Sequence, residues 1–227
     1  MTHSLHRRGS RESLMGDWII FTHGSRRIRD RSKHRRFMEI LMKHNPVGLS
    51  TVTLEGEEPR RLRYVRGWDS SKDSGIHKSA TLEEIRAYKD LNAGSAVFTN
   101  FEDVKAVLKE LKEADLGFSV VITGIFEKVH EACKEAGTGP HTVNMSAGTF
   151  GRVELLPDPK ILEITTMCGH HMISPNLVKH LIEQVKKGSM SIEDAAVEMA
   201  KQCTCNLFNV DRAMRLIEKY IRDTHTA

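Results

Sequence analysis

Residues 95–124 read SAVFTNFEDVKAVLKELKEADLGFSVVITG, and the order of elements written there sets the expectation for the fold. Ser95 to Thr99 is short, apolar and strand-like. Asn100 follows as a helix N-cap, because its side-chain oxygen can accept from an amide in the first turn. Glu102 and Asp103 in that turn complement the positive end of the helix dipole. Val104, Val107, Leu108, Leu111 and Ala114 then recur at three- and four-residue spacing, which makes one helix face apolar. Phe118 to Thr123 is a β-branched apolar run closed by Gly124 and predicts a buried strand.

The alternation continues toward the C-terminus. Phe126, Val129, Ala132, Cys133 and Ala136 mark a second amphipathic helix stopped by Gly137. His141 to Met145 reads as a strand, and Ile161 to Met167 as a further strand ending at Cys168. Strand–helix–strand–helix–strand with short links predicts the α/β class, a parallel or mixed sheet with flanking helices. In such a sheet Thr123, Gly124, Ser146 and Cys168 fall at carboxyl ends of strands, the edge where open α/β sheets bind ligands.

The N-terminal third is less regular. Trp18 to Thr22 is a strand, Ser32 to about Asn45 a basic helix stopped by Pro46, and Leu49–Leu54 can pair with Leu62–Val65. Thr81 and Glu84 form a capping box that opens another helix. The C-terminal third reads as helix throughout. Ser174-Pro175 places a cap before a first-turn proline, and apolar residues continue to Gly188. Ser191 and Asp194 open a helix that stops near Cys203, and a last helix runs from about Asn209 to Arg222. The organisation is a basic leader over 1–14, an α/β body over 15–168, and a helical segment over 169–227.

Composition removes several function classes. The chain has 227 residues, 39% of them hydrophobic, and its longest strictly apolar run is Trp18 to Phe21. A membrane helix needs roughly 20 apolar residues, so no membrane partner is expected. Four cysteines do not make a disulfide scaffold. The first residues lack the apolar stretch of a secretory signal, and the expected location is a reducing cytoplasm. Residues 1–45 carry eleven Lys and Arg against four Asp and Glu, and the remainder carries 23 against 26. The net charge of +4 therefore arises in the first fifth of the chain. A basic arm on a mildly acidic body suits a small anionic molecule or the phosphates of a nucleic acid.

The cysteines are unevenly placed. Cys168 lies in CGHHM, and Cys203 and Cys205 lie in CTC. One helix of the intervening hairpin runs out about 21 Å and the other returns about 18 Å, at 1.5 Å per residue. The hairpin therefore brings Cys203 back beside Cys168. Cys168, His170, Cys203 and Cys205 become candidate metal ligands, because three thiolates and an imidazole are an accepted zinc set. An iron–sulfur cluster is the competing cofactor, although the usual ferredoxin spacing is absent. Neighbours in a turn face opposite ways, so His171 is left as the catalytic acid–base candidate. Cys133, on an apolar helix face, is read as a packing residue. His23, Arg26 and Arg27 follow the first strand and are the candidates for holding the anion.

The leading expectation is a cytoplasmic metalloprotein acting as a metal-dependent lyase or hydrolase on a small anionic substrate. The alternatives are a nucleic-acid-binding module with a structural zinc site, and a thiol redox protein.

Overall fold

Trp18, Ile19, Ile20 and Phe21 are all buried, so the first strand has no solvent face. In the computed structural model, which describes residues 3–22, 30–73 and 78–225, that strand lies inside a sheet covered on both sides. The elements in chain order are α1 (Arg11–Leu14), β1 (Trp18–Thr22), α2 (Arg31–Lys43), β2 (Gly48–Thr53) and β3 (Arg60–Val65). Next come α3 (Leu82–Ala87), β4 (Ser95–Phe98), α4 (Phe101–Ala114), β5 (Val120–Thr123) and α5 (Phe126–Glu135). The chain ends with α6 (Pro159–Thr165), α7 (Pro175–Lys186), α8 (Ile192–Lys201) and α9 (Val210–His225).

The sheet order is β3-β2-β4-β1-β5, and every neighbouring pair is antiparallel. This overturns the expected parallel or mixed sheet. The helix α4 does join two strands that run the same way, since β4 and β5 are each antiparallel to β1. However, β1 lies between them. The unit α2 does the same for β1 and β2, with β4 inserted between them. Element alternation thus did not report which strands are neighbours, and the parallel pairing inferred from it does not occur. The apolar run of β1 also mimics a parallel strand, because burial on both faces removes the polar alternation that marks most antiparallel sheets.

Two further strand expectations fail. Residues 141–145 form no strand, and their side chains are exposed. Residues 161–165 belong to α6, with Asp158 accepting from the Lys160 amide and Pro159 in the first turn. Ile161, Ile164 and Thr165 are buried at helical spacing, so the β-branched content misled. Cys168 therefore follows a helix rather than a strand.

Two cores flank the sheet. Trp18, Ile20, Leu49, Ala96 and Phe98 pack with α2, α4 and α5 on one face. Ile19, Phe21, Val65 and Val97 pack with α6, α7, α8 and α9 on the other. Period-two alternation along β1 and β4 divides the side chains between these layers. The C-terminal helices are therefore the second covering layer of the sheet, and they hang their connecting turns at its edge.

Gly94, just before β4, marks the closest approach between strands. A Cβ there would lie 1.9 Å from the Ser50 carbonyl oxygen. Gly94→Ala is expected to destabilise the fold by about 3 kcal/mol, since the backbone of β2 must move to admit it. Urea unfolding measures this, and a change within about 0.5 kcal/mol would contradict the packing described.

Candidate functional site

The turn after α6 and the turn after α8 carry the cysteines. The Cys168 amide donates to the Thr165 carbonyl at 3.2 Å, and the Cys203 amide to Ala200 at 3.0 Å. Each thiol thus sits at a helix C-terminal end, where the chain tightens before turning away. The antiparallel run of α7 and α8 brings these two turns together, as the hairpin arithmetic requires.

Cys203 Sγ lies 3.6 Å from Cys205 Sγ, and Cys205 Sγ lies 3.5 Å from His170 Nδ1. Cys168 hydrogen-bonds to Cys203 from the other side. Pairwise contacts therefore link the four residues, in the order Cys168, Cys203, Cys205, His170. They form a row. Among the described residues, no group of three or more His, Cys, Asp and Glu side chains stands ready to hold a metal ion as placed. Cys168 and Cys203 are buried, Cys205 is half-buried, and His170 is exposed, so the row runs from the core to solvent. Thr204 Oγ1 donates to the Met172 sulfur at 3.4 Å across the mouth.

The hydrogen bonds polarise the row. The bond that Cys168 donates to Cys203, together with burial, pushes the Cys168 thiol well up. Cys203 is pulled down by that bond, yet its own bond to Cys205 and its burial leave it above the usual thiol value. The bond from Cys203 holds Cys205 at about 7, against the opposing effect of burial. Negative charge in the row therefore collects on Cys205, the sulfur nearest solvent.

His171 takes a left-handed backbone conformation, φ +55°. Its amide closes a turn onto the Cys168 carbonyl at 3.0 Å. Its exposed ring stands 6.3 Å from that of His6, whereas His170 Nδ1 meets Cys205. Cys133 is buried in the opposite core, away from the site. His23, Arg26 and Arg27 lie outside the described residues.

Three buried polar residues that sequence reasoning missed hold the two turns. Arg7, read as part of a solvated leader, has a side chain only 5% exposed. Its guanidinium donates to Asp17, to the Met167 carbonyl at 3.1 Å and to the Leu207 carbonyl. It thus grips the chain one residue before Cys168 and two residues after Cys205. Asn206 Nδ2 donates to the Leu49 carbonyl at 2.8 Å and to the Tyr64 carbonyl, fastening the CTC turn to β2 and β3. Arg63 Nη2 donates to the carbonyls of Cys203 at 2.9 Å and Ala200 at 3.3 Å. Only one signal for these residues was present in sequence. An arginine at 63, inside the apolar strand pattern of Leu62 and Val65, is hard to keep in water.

Arg63 is 4% exposed, and its Nε and Nη1 have no hydrogen-bond partner among the described residues. Burial pulls its pKa below the ordinary value, while charge on Cys203 and Cys205 favours its cationic form. Its guanidinium also lies over the Trp68 ring, 5.3 Å from the centroid. Among the described residues no carboxylate pairs with it. Family models give no match to this chain, and neither curated proteins nor solved structures give one.

Asp17, beneath Arg7, also receives Arg212 Nη1 at 2.8 Å and Asn209 Nδ2 at 3.0 Å. Burial pushes its pKa up, but the charges of Arg7 and Arg212 and these bonds hold it below the ordinary carboxylate range. Such a group stabilises the fold above the unfolded-state value of about 3.9, and the contribution is lost as pH falls through the lower folded-state value. Asp17→Asn should therefore cost about 3 kcal/mol near neutral pH, because it leaves buried cations uncompensated. The gap from the parent chain should close below pH ~4. Chemical denaturation across pH checks this, and a deficit that is constant with pH would contradict it.

Proposed function

We propose that Cys168, Cys203, Cys205 and His170 bind one soft or borderline metal ion, and that the protein works as a metalloprotein through that site. The supporting observation is the buried Arg63 guanidinium, with no carboxylate partner among the described residues, beside Cys203 and Cys205. A buried cation needs a counter-charge, since an unpaired one costs several kcal/mol. A three-thiolate, one-imidazole zinc site carries a net charge of about −1 and would supply it. Zinc fits this donor set, and its Zn–S distance of about 2.3 Å implies tetrahedral S···S edges of about 3.8 Å. The 3.6 Å between Cys203 and Cys205 is close to that edge. In this reading, side-chain rotation closes the row around the ion while Arg7, Arg63 and Asn206 keep the backbone in place.

The outer half of the site argues for a working ion rather than a purely structural one. Cys205 and His170 face solvent, so a ligand could reach the ion from that side. By taking a fifth ligand, or by exchanging the solvent-facing His170 for it, the ion would act as a Lewis acid toward a small anion, in a hydrolytic or lyase reaction. His171, exposed and one residue from the imidazole ligand, would be the proton-transfer group. The basic N-terminal residues would favour an anionic substrate. A cytoplasmic setting, where thiols stay reduced, belongs to the same proposal.

A second reading has its own observation. Cys205 is held at about 7, is half-exposed, and has Cys203 at 3.6 Å as a neighbouring thiol. These are the attributes of a reactive thiolate with a resolving partner. A thiol redox protein would use them without metal.

The double variant Cys203→Ser with Cys205→Ser separates the two. Under the metal proposal it loses stoichiometric metal, and its melting temperature falls with the metal. Metal content unchanged from the parent chain would contradict the proposed ligands. A metal-free parent whose two thiols oxidise reversibly, measured by alkylation mass spectrometry, would favour the second reading.

A further inference from the structure

The segment between α5 and α6 is the largest feature that the thiol site does not use. Residues 138–150 contain neither helix nor strand, and residues 139–156 are exposed throughout. Among the described residues, six of the eight exposed large hydrophobic side chains lie between 143 and 156. Met145 is 75% exposed, Phe150 79% and Leu155 66%. Monomeric proteins rarely leave such residues clustered in water.

The composition of the segment is also unusual for a surface. Residues 137–151 include no Asp, Glu, Lys or Arg, in a chain where charged residues are 28% of the whole. Depletion of charge together with exposed Met and Phe is the pattern of an interface core. It also disfavours nucleic acid or an anionic lipid surface as the occupant, because residues 137–151 themselves offer no Lys or Arg to a phosphate or headgroup.

Beside this segment lies a receptor surface. A cleft of about 750 Å³ opens between β5, α4 and α5, lined in part by Leu111, Phe118, Ile122, Phe126 and Val129. The root of the segment, His141 to Ser146, forms one wall of the cleft. His141 Nε2 lies 3.2 Å from Ser119 Oγ and ties that wall to the sheet edge. The outer part, with Phe150 and Leu155, is not among the cleft's walls. β5 is an edge strand, paired to β1 on one side only. Edge strands of this kind are normally covered.

We propose that this face is a homodimer interface, in which the Phe150 region of each copy seats in the β5–α5 cleft of the other. One chain carries both the apolar donor and the apolar receptor, so a two-fold arrangement satisfies both at once and closes without forming fibres. The area agrees. Six side chains of roughly 150–200 Å² each, about 60% exposed, leave on the order of 600 Å² of apolar surface. Val143 and Met145 among them already belong to the cleft wall, and adding the other walls brings the area toward the roughly 800 Å² per partner that a stable interface buries. Arg8 Nη2 holds Thr149 Oγ1 at 2.7 Å, which keeps the segment beside the N-terminal strap and ready to dock. The proposal is independent of the metal reading.

The experiment is sedimentation velocity and light scattering of the full chain across a dilution series. The parent chain is expected at the mass of two chains. Met145→Asp with Phe150→Asp should weaken association by roughly 30-fold or more, as removal of an aromatic anchor does. Both side chains are exposed in the single chain, so circular dichroism and melting of the monomer should be unchanged. Phe150→Ser, which adds no charge, should weaken the dimer in the same direction. A parent chain that stays monomeric at the highest concentration overturns the proposal, including one that instead binds lipid vesicles. A double variant that dimerises as tightly as the parent overturns it as well.

Discussion

Asp17 is buried at 2% exposure directly before β1, with two arginines on it. Arg7 comes from the N-terminal strap and Arg212 from α9, so one carboxylate joins the two ends of the chain to the start of β1. Arg212 also reaches the Arg8 carbonyl at 2.6 Å and Ser13 Oγ at 3.0 Å, and Glu163 of α6 lies 3.7 Å from it. Two cations thus meet two carboxylates in a dry setting. The net gain from burying such a set is small, but removing any one member leaves a charge without water or partner. The network specifies how α6, α9 and the strap sit, and the cysteine turns are placed through it.

The same charge logic makes Arg63 informative. Arg7 and Arg212 are balanced by Asp17 and Glu163, whereas Arg63 has no carboxylate partner among the described residues. Its nearest anionic candidates are sulfurs. A guanidinium is never deprotonated in a protein, so the counter-charge has to come from Cys203 and Cys205 or from what they hold. The backbone bonds of Arg7, Arg63 and Asn206 explain why this pocket can keep thiols in contact. They fix the turns at carbonyl groups, while the sulfurs meet each other, His170 and the backbone amides of His170, Met172 and Leu207.

Much of the local structure was legible. The capping box at Thr81 and Glu84, the Asn100 cap of α4 and the Ser174-Pro175 start of α7 are read from side-chain chemistry that acts within four residues, and all three stand. The meeting of Cys168 with Cys203 was legible because a short antiparallel helix pair is nearly rigid. Adjacency in the sheet was not, since α4 spans from β4 to β5 equally well with β1 between them. The Asp158-Pro159 start of α6 carried the same signal as Ser174-Pro175, and the β-branched run after it masked that signal. Arg7 and Arg63 were missed because their partners are backbone carbonyls 137 to 200 residues away, which no local pattern encodes.

If the thiol row exists to hold an ion, the parent chain should carry that ion through purification. The most direct measurement is elemental analysis, with a visible spectrum, of protein purified without oxygen. The account predicts a colourless protein with about one zinc ion per chain, as a three-cysteine, one-histidine site holds. Metal-free protein in which the thiols of Cys168, Cys203 and Cys205 all titrate as free groups would contradict it.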